Sequence, residues 1–253
     1  RDVAPSRGLG DVYKRQMYET VQSILAKSGH INHKYLKESE SDKKAVIVVT
    51  ANRGLAGGYN SNITRMIIDE GFTKENTVVY AVGKKGRELL ERKGYEIKAD
   101  YSEAINDPIY KDAKEICDDV LSAFADGEVG EIYLAYTVFK NTVVHEPQLI
   151  RLLPVEADDA AHETDGSEAL MTYEPSEEEA LDMIIPKYVC SLVYGALIES
   201  VASENGARMQ AMDSATSNAE EMISTLSLKY NRARQASITQ ELTEIIAGAN
   251  AIE

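Results

Sequence analysis

The C-terminal stretch from Pro186 to Glu253 constrains the fold more than any other part of the sequence. It contains no proline after Pro186, and its apolar residues recur at steps of three and four: Met212, Ala215, Ala219, Met222, Leu226, Tyr230 and Ala233, then Ile238, Leu242, Ile245 and Ala249. This narrow stripe is typical of a helix that packs along other helices. About sixty helical residues would span roughly 90 Å, more than the width of a domain of this size. The stretch therefore predicts a long helix that contacts a partner outside its own domain.

Charge and composition exclude several classes of protein. The chain has 42 acidic and 27 basic residues, a formal net charge of -15, which argues against general nucleic-acid binding. No apolar run approaches the 18 or so residues that a membrane span requires. The two cysteines, Cys117 and Cys190, show no metal-ligand spacing. They are predicted to be buried thiols in a reduced cytosolic setting.

Strand and helix patterns alternate through residues 45–155. Strands are predicted at 45–50, 77–82, 95–99, 131–139 and 147–155, and helices at about 60–71, 84–93 and 107–125. Asn60 or Ser61 is expected to cap the first helix, and Pro108 suits the first turn of the third. The last strand follows a short turn at Lys140-Asn141 and could pair antiparallel. The alternation predicts an α/β fold with an open, mostly parallel, Rossmann-like sheet and flanking helices, joined to a long C-terminal coiled-coil helix.

The remaining segments complete the predicted domain organisation. Residues 1–16 contain proline, glycine and mixed charge without periodicity, so we expect a disordered leader. Residues 17–30 form a short amphipathic piece, and 156–175 an acidic linker. The C-terminal helical region is predicted to cover 176–253. Within it, a short helix would end at Ile185, and the long helix would follow Pro186.

Residues 52–58, NRGLAGG, follow a strand and precede a helix, which is where phosphate-binding loops occur. However, no Lys-Ser or Lys-Thr follows Gly58, and the glycines are spaced GxxGG rather than GxGxxG. The next strand ends Val82-Gly83-Lys84, without the acidic residue that would bind a ribose. The pattern favours a tight turn with close strand–helix packing. An enzyme that binds a nucleotide at Asn52–Gly58 stays open as an alternative, although the four scattered histidines indicate no catalytic or metal site.

The polar side of the long helix is rich in amide and hydroxyl side chains. The block LKYNRARQ, residues 228–235, is locally basic in a strongly acidic chain. An exposed helix face is the simplest interpretation. A face of this composition could also form hydrogen bonds with several partner surfaces, without one dominant anchor.

Several segments resemble one known family. Residues Ile198–Ile252 are similar to the C-terminal helix of the gamma subunits of F-type ATP synthases. The stretch VVTANRGLAGGYNSN (Val48–Asn62) resembles the first strand and glycine turn of that family, and Val138–Pro147 and Thr172–Leu181 also fit it. The resemblance covers residues 17–253. Residues 1–16 match nothing in the family.

The resemblance implies a rotor rather than an enzyme. In this family, N- and C-terminal helices form an antiparallel coiled coil with an α/β domain at its foot. The shaft lies inside a ring of alpha and beta subunits, and the foot docks on the membrane c-ring with the epsilon subunit. Rotation couples proton flow to ATP synthesis, and the residues leave open whether H⁺ or Na⁺ is the ion. The resemblance further implies one copy per complex, no catalytic residue and no cofactor. It also implies peripheral attachment at the cytoplasmic side of a bacterial cell membrane.

The same resemblance suggests which residues contact the partners. Arg234 and Gln235 would meet a beta-subunit loop that changes position during catalysis, and Thr239 and Glu241 would lie on the next turns of the same face. Tyr173 and Glu174 would lie near the polar loops of the c-ring, on the epsilon side. A coiled-coil scaffold unrelated to ATPases is the second alternative.

The sequence also departs from the family pattern. Gamma subunits begin with a long helix rich in lysine, alanine and methionine, and only Met17–Lys27 resembles its end. This suggests a truncated gene product with a foreign leader. Asn52 stands where the family usually has aspartate, and we expect little effect from that difference. The paired-cysteine insert of the plastid form is absent, which argues against regulation by thiols.

Overall fold

A five-stranded sheet forms the centre of the structure, a computed structural model that describes residues 33–36, 41–155 and 177–250. The strands are β1 (Lys44–Val49), β2 (Thr77–Val82), β3 (Glu96–Asp100), β4 (Glu131–Phe139) and β5 (His145–Leu153). Their order is β3-β2-β1-β4-β5. Neighbours pair in parallel except β4 and β5, which pair antiparallel. The predicted α/β fold with a mostly parallel sheet is confirmed, including the antiparallel last strand.

Four helices are present among the described residues: α1 (Tyr59–Asp69), α2 (Lys84–Arg92), α3 (Tyr110–Ala125) and α4 (Glu177–Asn250). The central strand β1 is covered on both sides, as its continuous apolar sequence predicts. Val46 and Val48 pack with Ile63 of α1 and Leu90 of α2. The alternate residues of β1 belong to a larger core that contains residues of α3 and α4.

The first part of α4 is a core helix. Leu181, Ile185, Val189, Val193 and Leu197 recur every fourth residue and are at most 1% exposed. This spacing places them on one face, where they join the core on the α3 side of the sheet.

An 18-residue window of α4 has a mean hydropathy of 1.5 and is 44% buried, so by length and composition alone this helix could cross a membrane. This corrects the expectation that no apolar run approaches a span. The buried face shows that core packing accounts for the apolar character.

Three local predictions were wrong. Pro186 lies inside α4 and does not separate two helices. Ile185 and Val189 beside it are buried, so their packing offsets the backbone hydrogen bond that proline cannot donate. Neither Asn60 nor Ser61 caps α1, because Gly58 occupies the N-cap position. Pro108 lies outside α3, which begins at Tyr110.

The chain divides into two compact units, residues 1–208 and 209–253. In the second unit, residues 209–250 are helical throughout. All described side chains from Met212 to Asn250 are exposed. The leader at 1–16, the piece at 17–30, the linker at 156–175, and Tyr173 and Glu174 lie outside the described residues.

Candidate functional site

The crevice at the carboxyl ends of the strands is where open α/β sheets bind ligands, at the point where the strand order reverses. Here that point lies between β1 and β4. The β1 end leads into the glycine turn at residues 51–58, and the β4 end leads into the turn before β5. A ligand of this fold would therefore be expected beside these two strand ends.

Residues of α4 fill this crevice. The Tyr59 hydroxyl donates a hydrogen bond of 3.0 Å to the carbonyl oxygen of Ser200. The Ser203 hydroxyl donates one of 3.1 Å to the carbonyl oxygen of Thr137, at the end of β4. Burial raises the pKa of Tyr59, so its hydroxyl stays protonated and keeps its role as a donor. Ala207 packs on the small cluster that the glycine turn forms with Tyr59. The position that a nucleotide would occupy in a Rossmann-like enzyme is thus taken by the protein itself.

The N-terminus of α2 also lacks free donors for a phosphate in its first turn. Its first three backbone N–H groups are accepted by the chain after β1: Lys84 by Asn52 Oδ1 at 2.9 Å, Lys85 by the Ala51 carbonyl at 3.0 Å, and Gly86 by Thr50 Oγ1 at 2.9 Å. Phosphate sites at helix N-termini depend on such groups being available. These contacts support the packing interpretation over the phosphate cradle.

Gly83, which precedes α2, and Gly86, in its first turn, are required by close packing. A Cβ atom at Gly83 would lie 2.1 Å from the Thr50 carbonyl oxygen, and its φ is +117°. A Cβ atom at Gly86 would lie 2.5 Å from Thr50 Oγ1. Thr50 is 0% exposed and cannot turn away into solvent. Close strand–helix approach, rather than ligand approach, explains both glycines.

Asn52 forms hydrogen bonds through both the oxygen and the nitrogen of its side-chain amide. Because the Lys84 backbone N–H can only donate, it fixes Oδ1 as the acceptor. Nδ2 then donates to the Ser102 carbonyl at 2.6 Å and to Asn106 Oδ1 at 3.0 Å. An aspartate could not donate either bond. The amide of Asn52 joins the β1 end to the segment after β3, so we now expect aspartate at this position to weaken that contact.

The predicted beta-contact residues lie in the second unit and are exposed. A helix turns about 100° per residue, which puts Arg234 and Glu241 within about 20° of each other and Gln235 and Thr239 within about 40°. The two pairs lie on opposite sides of the apolar run Ile238, Leu242 and Ile245. These three side chains are 45%, 55% and 68% exposed. The four residues therefore flank an apolar stripe and do not share one face.

The two apolar runs of the predicted stripe also lie at different angles around the helix axis. The step from Ala233 to Ile238 is five residues, which rotates the stripe by about 140° around the helix. A single straight partner helix would match the stripe only on one side of this step. The region around Arg234 and Gln235 is the point at which the apolar stripe moves from one face to another.

The polar groups of this surface are largely unused within the second unit. Between residues 209 and 250 the described side chains form no ion pair, so Lys229, Arg232 and Arg234 have no carboxylate partner there. The hydroxyl of Thr239 donates to the Gln235 carbonyl at 2.8 Å, a local bond within the helix. Of these three cations, Arg234 lies beside the stripe at Ile238, and an exposed apolar stripe with an unpaired cation beside it is a surface suited to other chains.

The residues that seat α4 on the sheet were missed by sequence reasoning. Ser200, Ser203 and Gly206 recur every third residue, and a Cβ atom at Gly206 would lie 2.4 Å from His145 Nε2. Small residues at this spacing allow close approach between a helix and a neighbouring backbone. That run of small residues was the available signal. No group of metal ligands occurs among the described residues.

Comparison with known proteins identifies the family. A family model described as ATP synthase matches residues 10–252, so the match begins before Met17. The ATP synthase gamma chain of Lachnoclostridium phytofermentans is 65% identical over 246 residues, covering 95% of this chain and 84% of that protein. A gamma chain described as sodium ion specific, from Acetobacterium woodii, is 41% identical over 256 residues, with coverage of 95% and 85%.

Solved structures show the same fold. A chain of the Euglena gracilis mitochondrial ATP synthase, in a structure of OSCP, F1 and c-ring, aligns with a TM-score of 0.63 and 18% identity, covering 98% of this chain and 90% of that one. A chain from the central stalk and c-ring of the Tetrahymena thermophila enzyme aligns with a TM-score of 0.54 and 21% identity, covering 82% and 99%. Together with the family match and the 65% identical relative, this establishes that the chain belongs to the gamma-chain family of ATP synthases.

Proposed function

We propose that this chain is the central-stalk rotor subunit of an F-type ATP synthase. It transmits torque between the membrane c-ring and the catalytic alpha/beta ring, and so couples proton translocation to ATP synthesis or hydrolysis. The observation that carries the proposal is the helix at residues 209–250. From Met212 onward its described side chains are all exposed, including large apolar ones such as Leu226 at 64% and Tyr230 at 68%. A helix with this much exposed apolar surface requires partner chains.

The partners follow from the family. We infer that the alpha and beta subunits surround the C-terminal part of α4, and that the c-ring and epsilon subunit contact the foot, with one copy of this chain per complex. The similar chains in solved structures come from assemblies described as containing F1, a central stalk and a c-ring. The rotor would be peripheral, at the cytoplasmic side of the cell membrane.

The proposed beta-subunit contacts involve the same four residues as the sequence predicts, but these residues lie on two sides of an apolar stripe and not on one face. Arg234 and Gln235, with Glu241 and Thr239, would contact a beta subunit from both sides of the stripe at Ile238. The absence of an ion pair for Arg234 among the described residues of the second unit leaves its guanidinium available for a carboxylate or carbonyl of the partner. Tyr173 and Glu174 would contact the c-ring on the epsilon side.

The subunit itself is proposed to be non-catalytic and to bind no cofactor. Two observations support this: α4 fills the strand-end crevice, and the chain after β1 accepts the first three N–H groups of α2. Chemistry would then take place in the alpha/beta ring. Calorimetry of the isolated chain with ATP, ADP and NAD tests this point, because micromolar binding would support the nucleotide-binding alternative.

The main experiment measures coupling in the assembled complex. Arg234→Ala combined with Gln235→Ala should lower ATP synthesis and ATP-driven proton pumping in membrane vesicles. Because both side chains are exposed, the unfolding midpoint of the α/β domain should not change. Lys229→Ala is the matched control, since it removes a positive charge about 180° from Ile238 on the same helix.

Two results would contradict the proposal. One is unchanged pumping and synthesis in the double variant, with normal amounts of assembled complex. The other is failure of the tagged chain to recover alpha and beta subunits, which would favour an unrelated coiled-coil scaffold.

A further inference from the structure

The imidazole of His145 lies where the helix α4 packs on the hairpin formed by β4 and β5. His145 is the first residue of β5 and pairs with Phe139, the last residue of β4. The two rings pack with 5.8 Å between their centroids. On the side of α4, a Cβ atom at Gly206 would lie 2.4 Å from His145 Nε2, so a larger residue there would collide with the ring. The ring therefore lies close to both the hairpin and the backbone of α4.

The Nε2 atom of this ring is buried and has no hydrogen-bond partner in the part of the chain that the structure describes. In a neutral imidazole the proton can lie on Nδ1, which leaves Nε2 as an acceptor with one hydrogen bond unmade. A protonated imidazole carries an N–H donor and a positive charge at the same position. Burying a charged donor without a partner costs more than burying a neutral acceptor. The site therefore accommodates the neutral ring better than the charged one.

The charged groups on the surrounding elements do not offset this cost. On β5, the neighbouring Glu146 pairs with Lys140 at 3.4 Å, and the β4 residue opposite the ring is apolar. On α4, the nearest charged residues in sequence are Glu204 and Arg208, which pair with each other at 2.6 Å. Burial lowers the pKa of His145, and no neighbouring charge contributes to that shift.

We propose that His145 is a proton-sensitive contact, through which acid loosens the attachment of α4 to the β4–β5 hairpin. While the imidazole is neutral, it fills the space in front of Gly206. When a proton from solvent binds at Nε2, the half-buried ring turns toward water to hydrate its charge, and the contact with Gly206 opens. The proposal concerns how α4 is held on its own domain, and it does not depend on the rotor function.

The direction of the pH effect follows from the lowered pKa of His145. The folded chain binds this proton at a lower pH than the unfolded chain, in which histidine titrates near about 6.5. The stabilisation is therefore fully present above about pH 6.5 and is lost as the pH falls through the folded-state pKa. Because one proton is involved, the ratio of folded to unfolded chain can fall by at most about tenfold per pH unit through His145.

Hydrogen exchange of the full chain, followed by mass spectrometry, tests the proposal at the contact itself. Peptides that cover residues 140–146 and 200–208 should exchange several-fold faster at about pH 5 than at about pH 7.5, after correction for intrinsic exchange rates. Peptides from α2 should show no comparable change. Urea unfolding at the same two pH values should show that the folded-to-unfolded ratio falls about threefold or more through His145.

Two substitutions provide the controls. His145→Gln keeps a neutral polar side chain that does not titrate, so it should remove both the acid-dependent exchange and the additional loss of stability. His33→Gln is the matched variant, because His33 is the other histidine in the described ranges and has the Asp182 carboxylate at 3.2 Å. This variant should retain the acid response of the residue 200–208 peptide.

Three results would overturn the proposal. The first is equal corrected exchange of both peptides at the two pH values in the wild-type chain. The second is an acid response that His145→Gln retains. The third is an NMR titration in which the His145 ring of the folded wild-type chain has a midpoint at or above its value in urea. The first and third come from the wild-type chain and do not depend on a variant folding.

Discussion

Thr50 and Gly86 provide a quantitative test of the claim that the glycines near β1 serve packing. In Gly86→Ala, the new Cβ atom would lie 2.5 Å from Thr50 Oγ1 and 2.7 Å from its Cγ2. Alanine in a helix is more favourable than glycine by about 1 kcal/mol. Overpacking a rigid, buried site costs about 1–3 kcal/mol. Since Thr50 is fully buried, the clash outweighs the helix preference, and we expect a net destabilisation of up to about 2 kcal/mol.

Thr50→Ala acts through lost hydrogen bonds. Thr50 Oγ1 accepts from the Gly86 N–H at 2.9 Å and donates to the Gly83 carbonyl at 3.2 Å. The Gly83 carbonyl still accepts the Arg87 N–H at 3.3 Å, so only the Gly86 N–H is left without a partner, and a loss of about 1–3 kcal/mol is expected. The substitution also removes the two atoms that a Cβ at Gly86 would strike, which leaves only Thr50 Cβ at 3.2 Å.

The double variant should therefore recover stability. With the clash removed, the helix preference of alanine is regained, and the coupling energy between the two substitutions should be about 2 kcal/mol in the favourable direction. Urea unfolding followed by far-UV circular dichroism measures it from the midpoints at equal slopes. Gly54→Ala is the control, because no atom lies within 4 Å of its Cβ position. Additivity within about 0.5 kcal/mol would refute the steric argument.

Three further predictions concern other parts of the chain. Asn52→Asp should destabilise the first unit by about 1–3 kcal/mol in urea unfolding, because two donated hydrogen bonds are lost. Burial opposes ionisation of Glu131, but Lys44, Tyr133 and Arg151 together outweigh it and lower the pKa of Glu131. Lys44→Gln should therefore cost under about 1 kcal/mol above pH 5, and the difference should shrink as Glu131 is protonated toward pH 3. Leu226→Gln should leave the urea midpoint unchanged yet reduce recovery of alpha and beta subunits, since Leu226 is 64% exposed.

The strands could be predicted because their signal is local. Residues 77–82 and 131–139 were bounded correctly from continuous apolar runs and flanking glycines, and the other strands were displaced by one or two residues. Helix starts were harder to predict. Asn60 has the composition of a cap, but its Oδ1 accepts the Ala51 N–H at 2.9 Å instead. That contact depends on how the glycine turn folds back, which helix-capping statistics do not describe.

The predicted contact residues show a similar division. Their exposure on a long helix follows from the sequence, because polar and apolar residues alternate there at helical spacing. Their positions around the helix axis follow from its rotation of about 100° per residue. Arg234 and Gln235 are adjacent in sequence but about 100° apart around the axis. The contacts themselves stay a prediction, to be decided by the coupling measurements.

By itself, the sequence determined the α/β class, the long C-terminal helix and the family, because these depend on periodicity and motifs within short stretches. Only the tertiary structure decided the use of the strand-end crevice, where Ser200 and Ser203 meet residues more than sixty positions earlier in the chain. It also decided that Cys117 of α3 and Cys190 of α4 belong to one buried core. These are contacts between distant segments, and their partners are chosen by how α4 packs on the sheet. No local pattern encodes that choice, so the long helix could be predicted from its sequence, but the way in which it is seated could not.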